Sequence, residues 1–163
     1  MHPLYERTSD MTSTTQAISQ MNDPRPIFGI FTKALIIHNR RVLIMKRSSQ
    51  ASSGHGEWDI PGGGMEFNET VLDCLHREIM EETGLTANVD RLLYATTAAT
   101  PTRTSKGWVG LVYLCHTNSD AVTLSHEHTE YLWATKSQLI DSLTHHTLNN
   151  YTNNGVFDLL NID

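Results

Sequence analysis

The apolar positions of this chain change period several times, and each change marks an element. The run IFGIFTKALIIHN, 27–39, reads as a first strand, entered through extended backbone that Pro24 and Pro26 impose. Asn39, Arg40 and Arg41 interrupt it as a turn, and VLIMKRS, 42–48, reads as a second strand, so the two predict a hairpin. QASSGHGEW is a loop by its Ser and Gly content. Trp58 and Ile60 then alternate with Asp59 in a short extended segment before Pro61 turns the chain into Gly62, Gly63 and Gly64.

Beyond the glycines the period becomes helical. At 100° per residue Leu72, Leu75 and Ile79 share a narrow arc, which predicts a helix over about 68–83 packed on a sheet by that face. Asn68 is the N-cap candidate, and Gly84 takes the left-handed position that follows many helix ends. Strands are predicted over 87–97 and 108–118, the second broken only at Gly110, with a loop over 98–107 between them. Short strand candidates lie around Val122 and over 131–134. SQLIDSL, 137–143, has the spacing of a short amphipathic helix with Leu139, Ile140 and Leu143 inward. The Asn- and His-rich run to Asn154 reads as a polar connection, after which Val156, Phe157, Leu159 and Leu160 dock a final turn.

Residues 1–24 are rich in Ser, Thr, Asp, Asn and Gln without a lasting apolar period, so they read as a flexible N-terminal tail. Residues 25–163 then form one domain, the size expected of a 163-residue chain that buries a core without disulfides. A formal charge of −6 argues against a nonspecific nucleic-acid binder, and an acidic chain handling phosphate needs metal ions or well-placed Arg and Lys. Cys74 and Cys115 have no spacing that suggests a metal knuckle or redox pair, so both read as reduced, partly buried thiols. No run of about 18 apolar residues and no secretory pattern occurs, so neither a membrane span nor a signal is supported; a cytoplasmic location follows as the default.

The candidate chemistry sits on the predicted long helix. Glu78, Glu81 and Glu82 project from neighbouring turns at its C-terminal end, where like-charge spacing costs about 0.2–0.5 kcal/mol per pair and the helix dipole about 0.3–1 kcal/mol per group. A cation would offset both penalties, and carboxylates beside a glycine turn suit a hard, oxygen-seeking ion such as Mg2+ or Mn2+. A merely solvated acidic helix is the plain alternative. Lys46 and Arg47 before the first loop, and Arg103 and Lys106 in the 98–107 loop, are the cations best placed for phosphate or substrate; solvated strand-end and loop positions are the competing reading. SHEHTEYLW adds Glu127 and Glu130, and His126 with His128 offers a transition-metal pair if that segment is extended. Trp58 reads as a core or wall residue before it reads as a base-stacking platform.

Gly63, five residues, Glu69, seven residues, then Arg77-Glu78-Ile79-Met80-Glu81-Glu82-Thr83-Gly84-Leu85 resembles the complete Nudix box over 23 residues. The two N-terminal strands, WDIPGG, the acidic segment ending in YLWAT and the helix after it extend the resemblance over about residues 27–145. It implies an α/β fold, a Nudix-type α/β/α sandwich with a mixed central sheet. The implied activity is Mg2+- or Mn2+-dependent hydrolysis of a pyrophosphate bond in a nucleotide-derived small molecule; charge and hydropathy add the expectation of no stable nucleic-acid complex and no membrane. The resemblance casts Glu78, Glu81 and Glu82 as metal ligands with the Gly62 or Gly63 carbonyl nearby, and Glu69 and Arg77 as shaping the site. The outside carboxylate matches Glu127, with Glu130 the alternative, and either Glu78 or that outside residue serves as base. Pro101, sixteen residues beyond Leu85, resembles a feature of ADP-ribose pyrophosphatases and points to ADP-ribose or a nucleotide sugar. The alternatives are a nucleoside triphosphate pyrophosphohydrolase of the MutT type and a noncatalytic nucleotide-binding regulatory module. The resemblance and the unassigned tail together raise a homodimer as a hypothesis.

Overall fold

The hairpin that opens the domain is tight at its turn and open above it. Asn39 and Arg40 both take left-handed backbone, with φ of 46° and 62°, the geometry that reverses a chain between two twisted antiparallel strands. The computed structural model describes residues 27–51, 53–99 and 106–160. In it β1 (Ile27–His38) pairs with β2 (Arg41–Arg47) only at Ile37↔Val42 and His38↔Arg41. Above those pairs the strands part, and the gap is filled by the next stretch of chain. β3 (Trp58–Asp59) continues along β2, and the glycine turn crosses to β1, where the amides of Ala34 and Thr32 donate to the carbonyls of Pro61 and Gly63 at 2.8 and 2.9 Å. A segment wedged between two splayed strands is held from both sides, and the site is built on it.

The remaining strands widen the sheet. β5 (Lys106–His116) runs parallel to β1 along its whole length and antiparallel to β4 (Asn88–Ala99), while β6 (His128–Ala134) pairs antiparallel with β2. The result is one mixed six-stranded sheet in the order β3-β2-β1-β5-β4, with β6 on the other side of β2. Alternation along β1 and β2 sends successive residues to opposite faces. Ala34, Ile36, Leu43 and Met45 meet α1 (Val71–Thr83) through Leu75 and Ile79. Leu35, Val42 and Ile44 face the other layer, α2 (Lys136–Ser142), α3 (His145–Asn153) and α4 (Val156–Leu160), through Leu139, Tyr151 and Val156. This is the α/β/α sandwich that the resemblance implies. Cys74 and Cys115 are free and buried, as read from their spacing. Among the described residues no helix is long and apolar enough to cross a membrane.

Several expectations need correction. The N-cap of α1 is Thr70, not Asn68: Asn68 has a left-handed φ of 69°, whereas Thr70 is extended and shares a capping box with Asp73. Gly84 does close the helix in left-handed geometry. Leu72 remains 44% exposed because it lies in the first turn, directly after the exposed stretch 66–68; Cys74 is buried in that half of the helix instead. No strand forms around Val122. That stretch hydrogen-bonds the end of α1, Thr123 N–H to the Thr83 carbonyl and Ser125 N–H to the Glu82 carbonyl. Ile140 points outward because a seven-residue helix contacts the sheet through one face, already occupied by Leu139. The Asn- and His-rich run is helical: Thr144 caps α3, and Leu148 and Tyr151, three apart, form the narrow apolar stripe that composition hides. The tail, Ser52, Pro101 and Arg103 lie outside the described residues.

Thr70→Ala removes the hydroxyl that accepts from Asp73 N–H, and should lower stability by about 1 kcal/mol in urea denaturation. An unchanged midpoint would show that the capping box does not hold this helix start.

Candidate active site

Two glycines decide where the carboxylates can go. Gly62 has φ 135°, and a Cβ there would run into the Thr32 carbonyl and Lys33 Cα, so no other residue fits between the turn and β1. A Cβ on Gly63 would lie 2.6 Å from the Glu78 carboxylate. The absence of both side chains lets α1 set its acids directly against the turn backbone. Gly62 N–H donates to Glu82 Oε2 at 2.7 Å, a buried bond, and the Glu82 side chain is only 9% exposed. Burial raises the Glu82 carboxyl to about 7, against the opposing pull of the Lys33 charge and the Gly62 amide. Glu78, also mostly buried, is raised in the same direction for the same reason, with Arg77 opposing.

Arg77 ties the acidic edge to the turn. Its guanidinium donates to Glu69 through two nitrogens at 3.1 and 2.9 Å, to Glu78 at 2.7 Å, to Glu81 at 3.1 Å and to the Gly64 carbonyl at 3.1 Å. The Arg77 hydrogen bond, with the Glu66 amide, holds the Glu69 carboxyl down at about 2. Glu81 is drawn to the outer side of this network and stays largely exposed.

The far wall comes from the end of β2 and the turn before β6. A bulge between Lys46 and Arg47 shifts the β2·β6 register, and the two basic residues diverge there. Lys46 ion-pairs outward with Glu130 at 2.9 Å, while Arg47 enters the cleft, held by its bond to the Ser53 carbonyl and lying 3.9 Å from Glu127. Glu127, not Glu130, therefore lines the cleft with Glu78, Glu82, Gly62 and Gly63, around a space of 570 Å³. His128 lies behind them, its Nε2 3.8 Å from Glu82 Oε1, and burial with the nearby Arg47 and Lys33 charges lowers it to about 4, so it is neutral. His126 is exposed while His128 is buried, so the two do not form a metal pair.

Sequence reasoning missed Lys33. Its Nζ bridges Asp59 Oδ2 at 2.7 Å and the Ile60 carbonyl at 3.0 Å, on the cleft wall. The signal was present, since Lys33 is the only Lys, Arg, Asp or Glu in the twelve residues of β1. Phe31, Trp108, Thr144 and Thr147 also line the cleft without having been singled out for it. Lys106 opens β5 in register with Ile27.

Residues 32–153 match the NUDIX domain. The chain belongs to the NUDIX family. A MutT-like protein of Streptomyces ambofaciens is 27% identical over 119 residues, covering 72% of this chain and 71% of that one. The nucleoside triphosphatase NudI of Enterobacter sp. (strain 638) is 28% identical over 113 residues, 64% of this chain and 80% of its own length. The crystal structure of a MutT protein from Methanosarcina mazei Go1 superposes with a TM-score of 0.71 at 24% identity, over 81% of this chain and 96% of that one. The protein is a Nudix-type pyrophosphohydrolase, a family whose members generally use divalent metal ions.

The donor set suits such an ion without being closed around one. Glu78, Glu82 and Glu127 share the cleft, and a buried carboxyl raised to about 7 is stabilised in its charged form by an added cation. Yet among the described residues no three His, Cys, Asp or Glu side chains are gathered tightly enough to hold a metal; Arg77 pairs with Glu78 at 2.7 Å and Arg47 lies 3.9 Å from Glu127.

The Glu82 carboxyl, raised from 4.5 to about 7, gives a signed prediction for the metal-free protein. Its favourable protonation is fully present below pH 4.5 and is lost as pH rises through 7. The stability of Glu82→Gln relative to the native chain should therefore rise by about 3 kcal/mol between pH 4.5 and 8, read by urea denaturation in chelator. A difference that does not vary with pH would mean that Glu82 is not held as described.

Proposed function

We propose that the chain hydrolyses a pyrophosphate bond of a nucleoside diphosphate-linked small molecule with Mg2+ or Mn2+, held by Glu78, Glu82 and Glu127 with the Gly63 backbone alongside. The observation that carries the reading is the pair of buried carboxylates laid on the Gly62–Gly63 turn at the floor of a cleft that Lys33 and Arg47 also enter. Bound there, a divalent ion would neutralise phosphate charge and make water more acidic. Lys33 and Arg47 supply the fixed positive charge that orients phosphate oxygens, and Arg77 with Glu69 keeps the helix edge in register with the turn. Water oxygen bonds to phosphorus, its proton passes to Glu78 or Glu127, and the bridging P–O bond breaks with its electron pair leaving on oxygen. Burial raises Glu78 towards the range that suits a general base, and Glu127 faces the same cleft. Glu81, held by Arg77 at 3.1 Å on the outer side of the helix, is proposed as a further ligand from the same helix margin.

For the group beyond the pyrophosphate, ADP-ribose or a nucleotide sugar is supported by the position of Pro101 in the sequence. A nucleoside triphosphate is the second reading, favoured by similarity to a protein named as a nucleoside triphosphatase. Arg103 and Lys106 remain substrate-contact candidates from the sequence, whereas the outward ion pair of Lys46 argues against it. A panel of ADP-ribose, sugar nucleotides, diadenosine polyphosphates and nucleoside triphosphates, assayed with each metal, should show turnover that falls about 100-fold or more in Glu82→Gln. Turnover of no compound in either metal would reject the reading, and a strong preference for triphosphates would reject ADP-ribose.

A further inference from the structure

The parallel pair β1·β5 carries a glycine opposite each of two aromatic residues. Gly29 pairs with Trp108, and two residues on, Phe31 pairs with Gly110. A Cβ on Gly29 would collide with the Trp108 ring, and one on Gly110 with the Phe31 ring, so each ring lies across the neighbouring strand in the space a side chain would fill. Residues two apart on a strand rise from the same face, and both rings line the 570 Å³ cleft. Trp108 stays 42% exposed. The same cleft holds Lys33, Arg47, Glu78 and Glu82, and an adjoining hollow of 170 Å³, which Phe31, Lys33 and Asp59 also line, adds Thr96, Thr97, His146 and Asn150.

We infer that Phe31 and Trp108 form the stacking platform for the substrate's nucleobase, an inference that rests on the proposed nucleotide substrate. Phosphate oxygens belong beside Lys33 and Arg47, and the group attached to them then lies along the neighbouring wall formed by Phe31 and Trp108. That wall is flat, aromatic and open on one face, which matches the π-face of a base, and stacking of this kind tolerates base identity. The polar side chains around the adjoining hollow are placed to meet a base edge. Trp58, which also borders the cleft, is less suited to the role: its ring packs against the core around Leu35 and Tyr151, with Lys46 Nζ 5.9 Å from its centre.

The test uses AMP and ribose 5-phosphate as probes in chelator, where no hydrolysis intervenes. AMP should quench the tryptophan fluorescence of the native chain, and Trp108→Phe should lose most of that quench while keeping AMP affinity near the native value by calorimetry. Trp108→Leu, apolar but not planar, should weaken AMP about 10-fold and leave ribose 5-phosphate unchanged. Failure of the native chain to bind AMP, unaltered AMP affinity in Trp108→Leu, or equal weakening of both probes would overturn the platform. Because binding is read without turnover, loss of the hydrolysis reading and loss of the platform are separate results.

Discussion

The bond from Gly62 N–H to the Glu82 carboxylate is the contact on which the rest of the site depends. It joins the wedged turn to the far end of α1 across twenty residues, and it is buried. Neither partner tolerates substitution freely: Gly62 has no room for a Cβ, and Glu82 carries a charge that its surroundings penalise. One amide hydrogen bond does not offset the burial of a carboxylate, which is why the carboxyl is raised to about 7. The fold thus holds a carboxyl whose charged form the Gly62 amide and Lys33 compensate only in part.

That arrangement begins in the hairpin. Because β1 and β2 are zipped only at Ile37↔Val42 and His38↔Arg41, the strands above are free to take the 58–65 segment between them. The segment hydrogen-bonds β1 on one edge while β3 hydrogen-bonds β2 on the other, so the turn inherits the rigidity of the sheet. On the opposite side of β1 the pairing with β5 is continuous, and there the Gly29 and Gly110 positions let aromatic rings lie down beside the same cleft. Glycines therefore serve one cavity in two ways, admitting carboxylates against the turn and aromatic rings across β1 and β5.

Much of this was legible in the sequence. The strands of the first hairpin, α1 with its Gly84 stop, and Glu78 and Glu82 beside the glycines all follow from local period and composition. The misreadings share a physical origin, since they concern what an element packs against. Leu72 and Ile140 fit an apolar arc but stay about half exposed, and α3 was hidden because two apolar residues suffice when one of them, Tyr151, is wholly buried. The divergence of Lys46 and Arg47 comes from a bulge that period alone does not reveal. Lys33, Phe31 and Trp108 reach the site only through the parallel register of β1 with β5 and the pairing of β1 with the turn, both contacts between distant parts of the chain.

The most direct measurement of the central claim is the effect of Mn2+ on unfolding at pH 8, where a buried Glu82 is charged and its compensation by a cation is greatest. Saturating Mn2+ should raise the stability of the native chain and leave Glu82→Gln close to its metal-free value. Equal stabilisation of both proteins, or of neither, would contradict a site built to hold a divalent ion on this carboxylate.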